Sequence, residues 1–130
     1  YPEGTRSPDG RLYRGKTGPV RVAMRAGVPI VPIGVTGTGD YIRWLKRPRL
    51  GRRPEIRVMV GEPFDITPWA DRVGDRAAER EITDQLMLRI QELTGQEYLP
   101  DTYGADMKKR FEHVRASGRN LLDQPAGEQS

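Results

Sequence analysis

The stretch Gly15–Thr36, with the sequence GKTGPVRVAMRAGVPIVPIGVT, decides the fold because a helical pattern passes directly into a strand pattern. Gly18-Pro19 is typical of a helix start, since the first helical position tolerates the missing N–H of proline. The apolar residues that follow recur at helical spacing, which predicts a helix over Gly15–Gly27. The apolar, β-branched run Ile30–Thr36 predicts a strand. Pro32 argues for an edge or a strand entrance, because proline cannot donate to a sheet ladder.

Three further segments continue this alternation of helices and strands. Glu55–Val60 has isoleucine or valine at every second position, which predicts a second strand, and Gly37–Asp40 is predicted as a loop. A short helical turn is predicted over Thr67–Gly74. A longer helix is predicted over Asp75–Leu93, because its apolar residues recur near helical spacing. We therefore expect an α/β fold in which helices flank a mixed sheet.

Residues 1–99 are predicted to form part of one domain, and residues 100–130 a polar, partly disordered tail. The tail contains one apolar set that would line a face of a short helix, formed by Met107, Phe111 and Val114.

The composition excludes several classes of protein. The 130 residues are 35% hydrophobic and 31% charged, so a core of modest size is expected under a highly charged surface. The absence of cysteine excludes disulfide scaffolds and cysteine-based zinc sites. No apolar run approaches the ~20 residues of a spanning helix, and no signal peptide is recognisable. Because the first residue is Tyr1 rather than methionine, we expect that the natural N-terminus is missing.

Positive charge is concentrated in the first half of the chain. Residues 1–60 hold 13 Lys/Arg and 4 Asp/Glu, whereas residues 61–130 hold 9 Lys/Arg and 14 Asp/Glu. A basic half indicates an anionic partner, for which phosphate esters, a membrane surface and nucleic acid are the candidates. A solvated, arginine-rich surface is the alternative.

The first candidate site is the turn formed by the first seven residues, YPEGTRS. Arg6 offers a planar donor fork suited to a phosphate, and Thr5 and Ser7 can donate to the same anion. Gly4 lets the backbone approach a ligand. Glu3 only accepts hydrogen bonds when ionised, so it would orient a hydroxyl-bearing substrate or lock Arg6. An ordinary surface turn with a local Glu–Arg pair is the alternative.

Two more segments are relevant to a possible site, one as an anion-binding candidate and one as a structural element. Arg14–Gly18 places the cation of Lys16 and backbone N–H groups just before a helix start, which attracts anions, although ordinary helix capping is the alternative. Val28–Ile33 is interpreted as a buried strand with rigid flanks.

These segments together resemble a known family. Tyr-Pro-Glu-Gly-Thr-Arg-Ser at residues 1–7 and Val-Pro-Ile-Val-Pro-Ile at residues 28–33, with Lys16 between them, resemble the third and fourth signature blocks of the phospholipid/glycerol acyltransferase family. That family includes the bacterial 1-acyl-glycerol-3-phosphate acyltransferases. Its third block usually has phenylalanine where this chain has Tyr1, and its fourth usually closes on valine where this chain has Ile33.

The resemblance extends beyond the two blocks. Gly61-Glu62-Pro63-Phe64-Asp65-Ile66 is similar to a segment that recurs after the next strand of the family, so the resemblance covers about residues 1–95. It implies the C-terminal part of a glycerolipid acyltransferase domain.

The resemblance also implies an activity and its binding residues. The parent enzyme would transfer a fatty acyl group from a thioester of coenzyme A or acyl carrier protein to a lysophosphatidic-acid-like acceptor in phospholipid synthesis, with no metal and no cofactor. Glu3, Gly4, Thr5 and Arg6 would contact the glycerol-phosphate part of the acceptor. Lys16 would help to hold its charge, and the fourth block would shape the core beside the acyl channel.

One family block is missing from the chain. In the family, a His-x-x-x-x-Asp block supplies a histidine general base that deprotonates the acceptor hydroxyl. The only histidine is His113, and the residue five positions later is Gly118. We interpret His113 as a surface residue of the tail, and we identify no catalytic residue in the chain. The histidine block and a second block with a phosphate-binding arginine are expected upstream of Tyr1. This chain alone is therefore predicted to be inactive and only marginally stable, because losing the early strands would expose apolar surface.

The segment Arg43–Arg53 carries six cations and no acid, with Trp44, Leu45 and Leu50 interleaved. This mixture favours an anionic membrane interface, and the phosphates of coenzyme A or an acidic acyl carrier are further candidates. Nucleic acid is not expected as a partner, because Pro48 and Pro54 interrupt a groove-reading helix. A solvated basic loop is the alternative.

The resemblance therefore implies that the parent enzyme is a membrane-associated transferase at the cytoplasmic face of the cell membrane. A non-catalytic anion-binding or membrane-surface module is the second interpretation, since the histidine block is absent from the chain.

Overall fold

The computed structural model describes residues 1–46 and 53–117. Helices and short strands are mixed along the chain, which confirms the predicted α/β class. In the described part, a 3-10 helix over Thr67–Arg72 precedes the longest helix. The other elements are β1 (Leu12–Tyr13), α1 (Gly18–Ala26), β2 (Ile33–Thr36), α2 (Thr38–Lys46), β3 (Arg57–Val60), α3 (Arg76–Thr94), β4 (Tyr98–Leu99) and α4 (Gly104–Ser117).

Helix α1 is shorter than the sequence predicts, since it begins at Gly18 rather than Gly15. The reason lies in the preceding backbone: the N–H of Arg14 donates to the carbonyl of Thr102 at 2.8 Å, and the N–H of Lys16 donates to that of Pro2 at 2.7 Å. These connections hold residues 14–17 outside the helix. At the other end Gly27 adopts a left-handed conformation with φ 63°, which terminates the helix as predicted.

Helix α3 confirms the predicted long helix and forms much of the core. Asp75 caps it by accepting a hydrogen bond from the N–H of Ala77 at 2.8 Å, and Gly95 closes it in the left-handed region. Its buried face packs against α1 and against Phe64 and Ile66. The residues of this face are Ala78, Ile82, Leu86, Met87 and Ile90.

Strand β2 begins at Ile33, so the predicted strand start at Ile30 is wrong. Ile30 forms only an isolated antiparallel bridge with Phe64. The carbonyl of Pro32 accepts a hydrogen bond from the N–H of Gly61 at 2.9 Å, which leaves Pro32 at the strand entrance that the sequence allowed. Proline interrupts the ladder because it has no N–H to donate.

Strands β2 and β3 pair antiparallel, with Ile33 opposite Val60 and Gly34 opposite Met59. Gly34 and Met59 face α3. The opposite face is apolar, and 50% of Ile33, 62% of Val58 and 66% of Val60 are exposed. The interpretation of residues 28–33 as a buried strand is therefore wrong for this chain, because α3 covers only one face of the pair.

Helix α2 contradicts the loop that the sequence predicts at residues 37–40. Only Gly37 is outside the helix. It has a φ of 83°, and a Cβ placed on it would lie 2.0 Å from the carbonyl oxygen of Glu55. The carbonyl of Gly37 accepts from the N–H of Tyr41, which starts the helix early. The part of the basic segment at residues 47–52 lies outside the described residues.

The C-terminal segment folds back onto the start of the chain. Strand β4 pairs parallel with β1, with Leu12 opposite Tyr98. Helix α4 follows, and Val114 is buried on it. The predicted division at residue 99 stays a prediction, and residues 118–130 of the predicted, partly disordered tail lie outside the described ranges. Within those ranges, none of the helices combines the length and hydropathy of a membrane span.

Candidate functional site

The turn that the sequence singles out is held in place by Glu3. The N–H of Gly4 donates to the carbonyl of Tyr1 at 3.1 Å, and Gly4 itself has a φ of 68°, a conformation that favours glycine. The carboxylate of Glu3 accepts a hydrogen bond from the backbone N–H of Tyr13 at 2.8 Å, which joins the turn to β1. Burial raises the pKa of Glu3, although the hydrogen bond from Tyr13 acts in the opposite direction. The local pair of Glu3 with Arg6 is not formed.

A second carboxylate, which sequence reasoning did not identify as functional, organises the other side of the turn. Asp9 accepts hydrogen bonds from the hydroxyl of Tyr13 at 2.7 Å and from Nε of Arg11 at 2.8 Å. Burial alone would raise the pKa of Asp9, but the hydrogen bonds from Arg11 and Tyr13 hold it below its usual value. Ser7 donates to Asp9 at 3.2 Å, so its hydroxyl belongs to the turn rather than to an open donor set.

The structure brings Lys16 and Gly4 together across the site. A Cβ placed on Gly4 would lie 2.9 Å from Nζ of Lys16, so the ammonium group lies directly over this glycine. Lys16 and Arg6 are both exposed, and neither side chain has a hydrogen-bond or ion-pair partner among residues 1–46 and 53–117. The two predicted phosphate-binding cations are therefore not neutralised by described carboxylates.

Thr5 lies against the start of α4. A Cβ placed on Gly104 would lie 3.0 Å from Cγ2 of Thr5 and 3.6 Å from Cβ of Tyr13. Gly104 is buried there, because only a residue without a side chain lets α4 begin this close to the turn. The C-terminal helix is thus part of the surroundings of the candidate site.

An open cavity of about 450 Å³ adjoins Lys16 on this side. Arg80 of α3 forms part of its wall. It donates from Nη1 to the carbonyl of Gly15 at 2.7 Å and from Nη2 to Asp84 at 2.6 Å. The residues that line the cavity are Lys16, Thr17, Arg80, Tyr103, Ala105 and Asp106. Four of these six come from α3 or from the segment after Pro100, and nothing in their local sequence indicated a site.

Several donors near this cavity lack partners within the described part of the chain. Nε of Arg14, Nε of Arg80 and the hydroxyl of Tyr98 are buried without a hydrogen-bond partner. The guanidinium of Arg14 lies 5.4 Å from the ring centroid of Tyr103, in a cation–π contact. Burial raises the pKa of Tyr98, and the charge of Asp84 adds to this effect.

A second cavity of about 630 Å³ lies at the far end of α1. It is bounded by the fourth block at Val28 and Pro29 and by the apolar side chains of Ile66, Trp69 and Val73. The nine residues of α1 separate it from Lys16.

The chain's histidine is not part of either cavity. His113 is exposed on α4, which agrees with its interpretation as a surface residue. In residues 1–46 and 53–117, no group of three or more histidine, aspartate or glutamate side chains could hold a metal ion. The described residues of the site thus offer donors and cations for an anion, but no histidine base.

Parts of the chain are similar to known acyltransferases. Residues 1–36 match a protein-family model described as Acyltransferase. The chain is 56% identical over 80 residues to the chloroplastic 1-acyl-sn-glycerol-3-phosphate acyltransferase BAT2 of Brassica napus, which covers 62% of this chain and 23% of that protein. It is also 56% identical over 64 residues to the chloroplastic 1-acyl-sn-glycerol-3-phosphate acyltransferase LPAT1 of Arabidopsis thaliana, covering 49% of this chain and 18% of that protein.

A third relative is more distant. The 1-acyl-sn-glycerol-3-phosphate acyltransferase of Limnanthes alba is 40% identical over 76 residues, which cover 58% of this chain and 26% of that protein. No solved structure matches the chain at a significant level. The chain spans about a quarter of the length of the curated relatives it matches. Residues 1–36, which include the Glu3–Arg6 turn and the fourth block, thus resemble the acyltransferase family model, and up to 62% of the chain is similar to 1-acyl-sn-glycerol-3-phosphate acyltransferases.

Proposed function

We propose that this chain is the acceptor-binding part of an enzyme that transfers a fatty acyl group from an acyl thioester to a lysophosphatidic-acid-like glycerol phosphate. The observation that carries the proposal is the placement of two cations without partners in the described residues, Lys16 and Arg6, at a turn that Glu3 holds open. The names of the plant relatives support the acceptor class, since each is a 1-acyl-sn-glycerol-3-phosphate acyltransferase.

The acceptor phosphate would bind where positive charge and backbone donors meet. The ammonium of Lys16 lies over Gly4, and Arg6 supplies a planar donor fork for phosphate oxygens. Glu3 would act by fixing the turn through Tyr13, since its carboxylate is already engaged by that N–H. Thr5 and Gly4 would then contact the glycerol-phosphate part from the turn itself.

The chemistry of transfer would need groups from another part of the enzyme. A base would take the proton from the acceptor hydroxyl, the hydroxyl oxygen would attack the thioester carbonyl, and the thiolate of coenzyme A or acyl carrier protein would leave. His113 is exposed on α4 and is not paired with an aspartate five residues later, so we do not assign the base to it.

We further propose that the enzyme works at the cytoplasmic face of a membrane. Helix α2 presents Leu45 and Lys46 to solvent, and Arg53 stacks on the rings of Tyr41 and Trp44 at 5.4 Å from each centroid. Aromatic and cationic side chains side by side suit the headgroup region of an anionic bilayer.

The test is acyl transfer from labelled acyl-coenzyme A to lysophosphatidic acid, by this chain and by a longer protein that contains it. We expect transfer by the longer protein alone. In that protein Arg6→Ala should raise the Michaelis constant for the acceptor, because a phosphate contact is lost, while Arg57→Ala on the exposed part of β3 should leave it unchanged. Transfer by the 130-residue chain would contradict the assignment of the base, and an unchanged constant for Arg6→Ala would contradict the phosphate contact.

A non-catalytic membrane-surface module is the second candidate, and the exposed Arg43, Leu45 and Lys46 of α2, beside the half-buried rings of Tyr41 and Trp44, favour it. Binding of this chain to anionic vesicles, weakened by salt, together with no transfer by the longer protein, would support that candidate. Binding to neutral and anionic vesicles alike would argue against a role for the basic residues.

A further inference from the structure

We propose that the cavity between Lys16 and the first turn of α4 holds the glycerol-phosphate headgroup of the acceptor, and that Asp106 determines its specificity for a glycerol ester over free phosphate. This inference rests on the proposed function. It assigns a role to Arg80, Tyr103 and Asp106, which lie outside the residues matched by the family model.

The first step of the argument is the excess of donors around the cavity. Lys16 brings an ammonium without a partner in the described residues, and Arg80 lines the wall with a buried Nε that also lacks one. Two atoms that do not line the cavity, Nε of Arg14 and the hydroxyl oxygen of Tyr98, are also buried without a hydrogen-bond partner among the described residues. Buried donors normally find acceptors, so a site with this surplus suits a ligand that brings acceptor oxygens and negative charge.

The second step is the convergence of two helix starts. Thr17 precedes the first residue of α1 and makes no side-chain capping bond, and Tyr103 precedes the first residue of α4. Both residues line the cavity. The partial positive charge at the two helix starts adds to that of Lys16, although it would not define a site by itself.

The third step concerns Asp106, the one carboxylate among the residues that line the cavity. It is exposed on the first turn of α4. A carboxylate in a donor-rich cavity repels free phosphate but accepts a hydrogen bond from a hydroxyl, which glycerol phosphate has and free phosphate lacks. Asp106 is thus placed to favour the ester over the free anion.

The cavity adjoins the turn at residues 1–7, to which the proposed function assigns the acceptor phosphate. Nζ of Lys16 lies near Gly4, and Cγ2 of Thr5 lies near Gly104, so the turn and the start of α4 share a border. One ligand can therefore contact the turn and the cavity together. The pairing of β4 with β1 holds the wall in register with the turn.

The test is titration of the 130-residue chain with glycerol 3-phosphate and, separately, with inorganic phosphate at fixed ionic strength. Amide chemical shifts of Lys16, Thr17 and Ala105 report on the cavity. We expect both ligands to shift these amides, with glycerol 3-phosphate binding more tightly. Lys16→Gln should weaken both ligands about tenfold, since a charge-assisted contact is lost.

Asp106→Asn should change the affinities for the two ligands differently. It should tighten inorganic phosphate about threefold, because a like charge is removed, and should not tighten glycerol 3-phosphate, because the hydroxyl loses a charged acceptor. The matched controls are Lys108→Gln and Glu112→Gln, which make the same charge changes at exposed positions elsewhere on α4 and should leave both affinities unchanged.

Three results would overturn the inference: no shift at the cavity amides, an Asp106→Asn variant that tightens both ligands equally, or control variants with the same effects. The inference and the proposed function fail separately. A longer protein that transfers acyl groups while Asp106→Asn leaves the ligand preference of this chain unchanged contradicts only the cavity assignment. The predicted binding pattern without transfer contradicts only the proposed function.

Discussion

The backbone N–H of Tyr13 donates to the carboxylate of Glu3 at 2.8 Å, across ten residues of chain. This bond connects the turn at residues 1–7 to β1. Because β1 pairs with β4, the same bond connects the turn to the C-terminal segment that forms the wall of the cavity. Glu3 thus acts in this structure by accepting a hydrogen bond from the backbone. Substitutions of Glu3 should show whether its hydrogen-bonding oxygen or its negative charge stabilises the turn.

Glu3→Ala should destabilise the chain by about 1–3 kcal/mol, the range for a buried donor left without its acceptor. Glu3→Gln keeps a carbonyl oxygen that can accept from Tyr13, so its free energy of unfolding at neutral pH should equal or exceed that of the parent chain. Urea denaturation at pH 7 measures both differences. Equal destabilisation by alanine and glutamine would mean that the charge of Glu3, rather than its acceptor atom, holds the turn.

The contribution of Glu3 to the free energy of unfolding should change with pH in a direction that follows from its pKa. Burial raises the pKa of Glu3 above the reference value of 4.5, so the folded state binds the proton more tightly than the unfolded state. The contribution of Glu3 is therefore full below pH 4.5 and is lost as the pH rises through the folded pKa. The stability of Glu3→Gln relative to the parent chain should increase over that interval, as measured by urea denaturation at successive pH values.

For the ion pair of Arg21 with Glu79, we expect the opposite dependence of stability on pH. Nε and Nη2 of Arg21 donate to the two oxygens of Glu79, at 2.9 and 2.8 Å, and join α1 to α3. The hydrogen bonds from Arg21 lower the pKa of the buried Glu79. The contribution of this pair is present above pH 4.5 and is lost as the pH falls through the folded pKa. Arg21→Met should lower the melting temperature at pH 7 by several degrees, because it leaves a buried carboxylate without its partner.

The control for Arg21→Met is Arg43→Met, which removes the exposed pair of Arg43 with Asp40 on α2. Exposed pairs contribute little, so this variant should melt within about a degree of the parent chain. Glu79→Gln should flatten the dependence of the melting temperature on pH between pH 7 and pH 4. A slope as steep as that of the parent chain would assign the acid sensitivity to other carboxylates.

The packing of the sheet on α3 gives a third prediction. A Cβ placed on Gly34 would lie 2.5 Å from Cγ2 of Thr94, closer than side chains can pack. Gly34→Ala should therefore destabilise the chain by about 1–3 kcal/mol, as overpacked cores do. Thr94→Ser removes only Cγ2 and keeps the hydroxyl that donates to the carbonyl of Ile90 at 2.9 Å. The double variant should recover most of the lost free energy in chemical denaturation. Additive effects of the two substitutions would place the strain elsewhere.

Local patterns in the sequence were sufficient to predict α3 and the end of α1. Asp75, Gly95 and Gly27 have the roles that their types indicate, because caps depend on neighbours within a few residues. The start of α2 was missed because Gly37 is positioned by Glu55, which is distant in sequence. No local pattern could indicate this contact.

The residues of the candidate site likewise fall into those that the sequence identified and those that only the tertiary structure reveals. The family resemblance identified Glu3, Gly4, Thr5, Arg6 and Lys16, and the structure brings Lys16 onto Gly4. Their binding roles stay predictions. The wall formed by Arg80, Tyr103 and Asp106 depends on the pairing of β4 with β1, a contact between residues more than 80 positions apart. Hydrophobic periodicity and short motifs carry no information about such pairs.

Gly4 supplies the last prediction, because its neighbour Lys16 makes it more than a turn residue. Gly4→Ala should destabilise the chain by about 1–2 kcal/mol, the range for a Cβ in the left-handed region. It should also displace Lys16, since the new Cβ would lie 2.9 Å from Nζ. Gly74→Ala is the matched control: its φ is 90°, and a Cβ there would meet nothing within 4 Å. Both variants should lose similar stability in denaturation, but only Gly4→Ala should weaken glycerol 3-phosphate in the amide titration. Equal weakening by both would show that the loss reflects stability, and that contact of Lys16 with the turn does not govern binding.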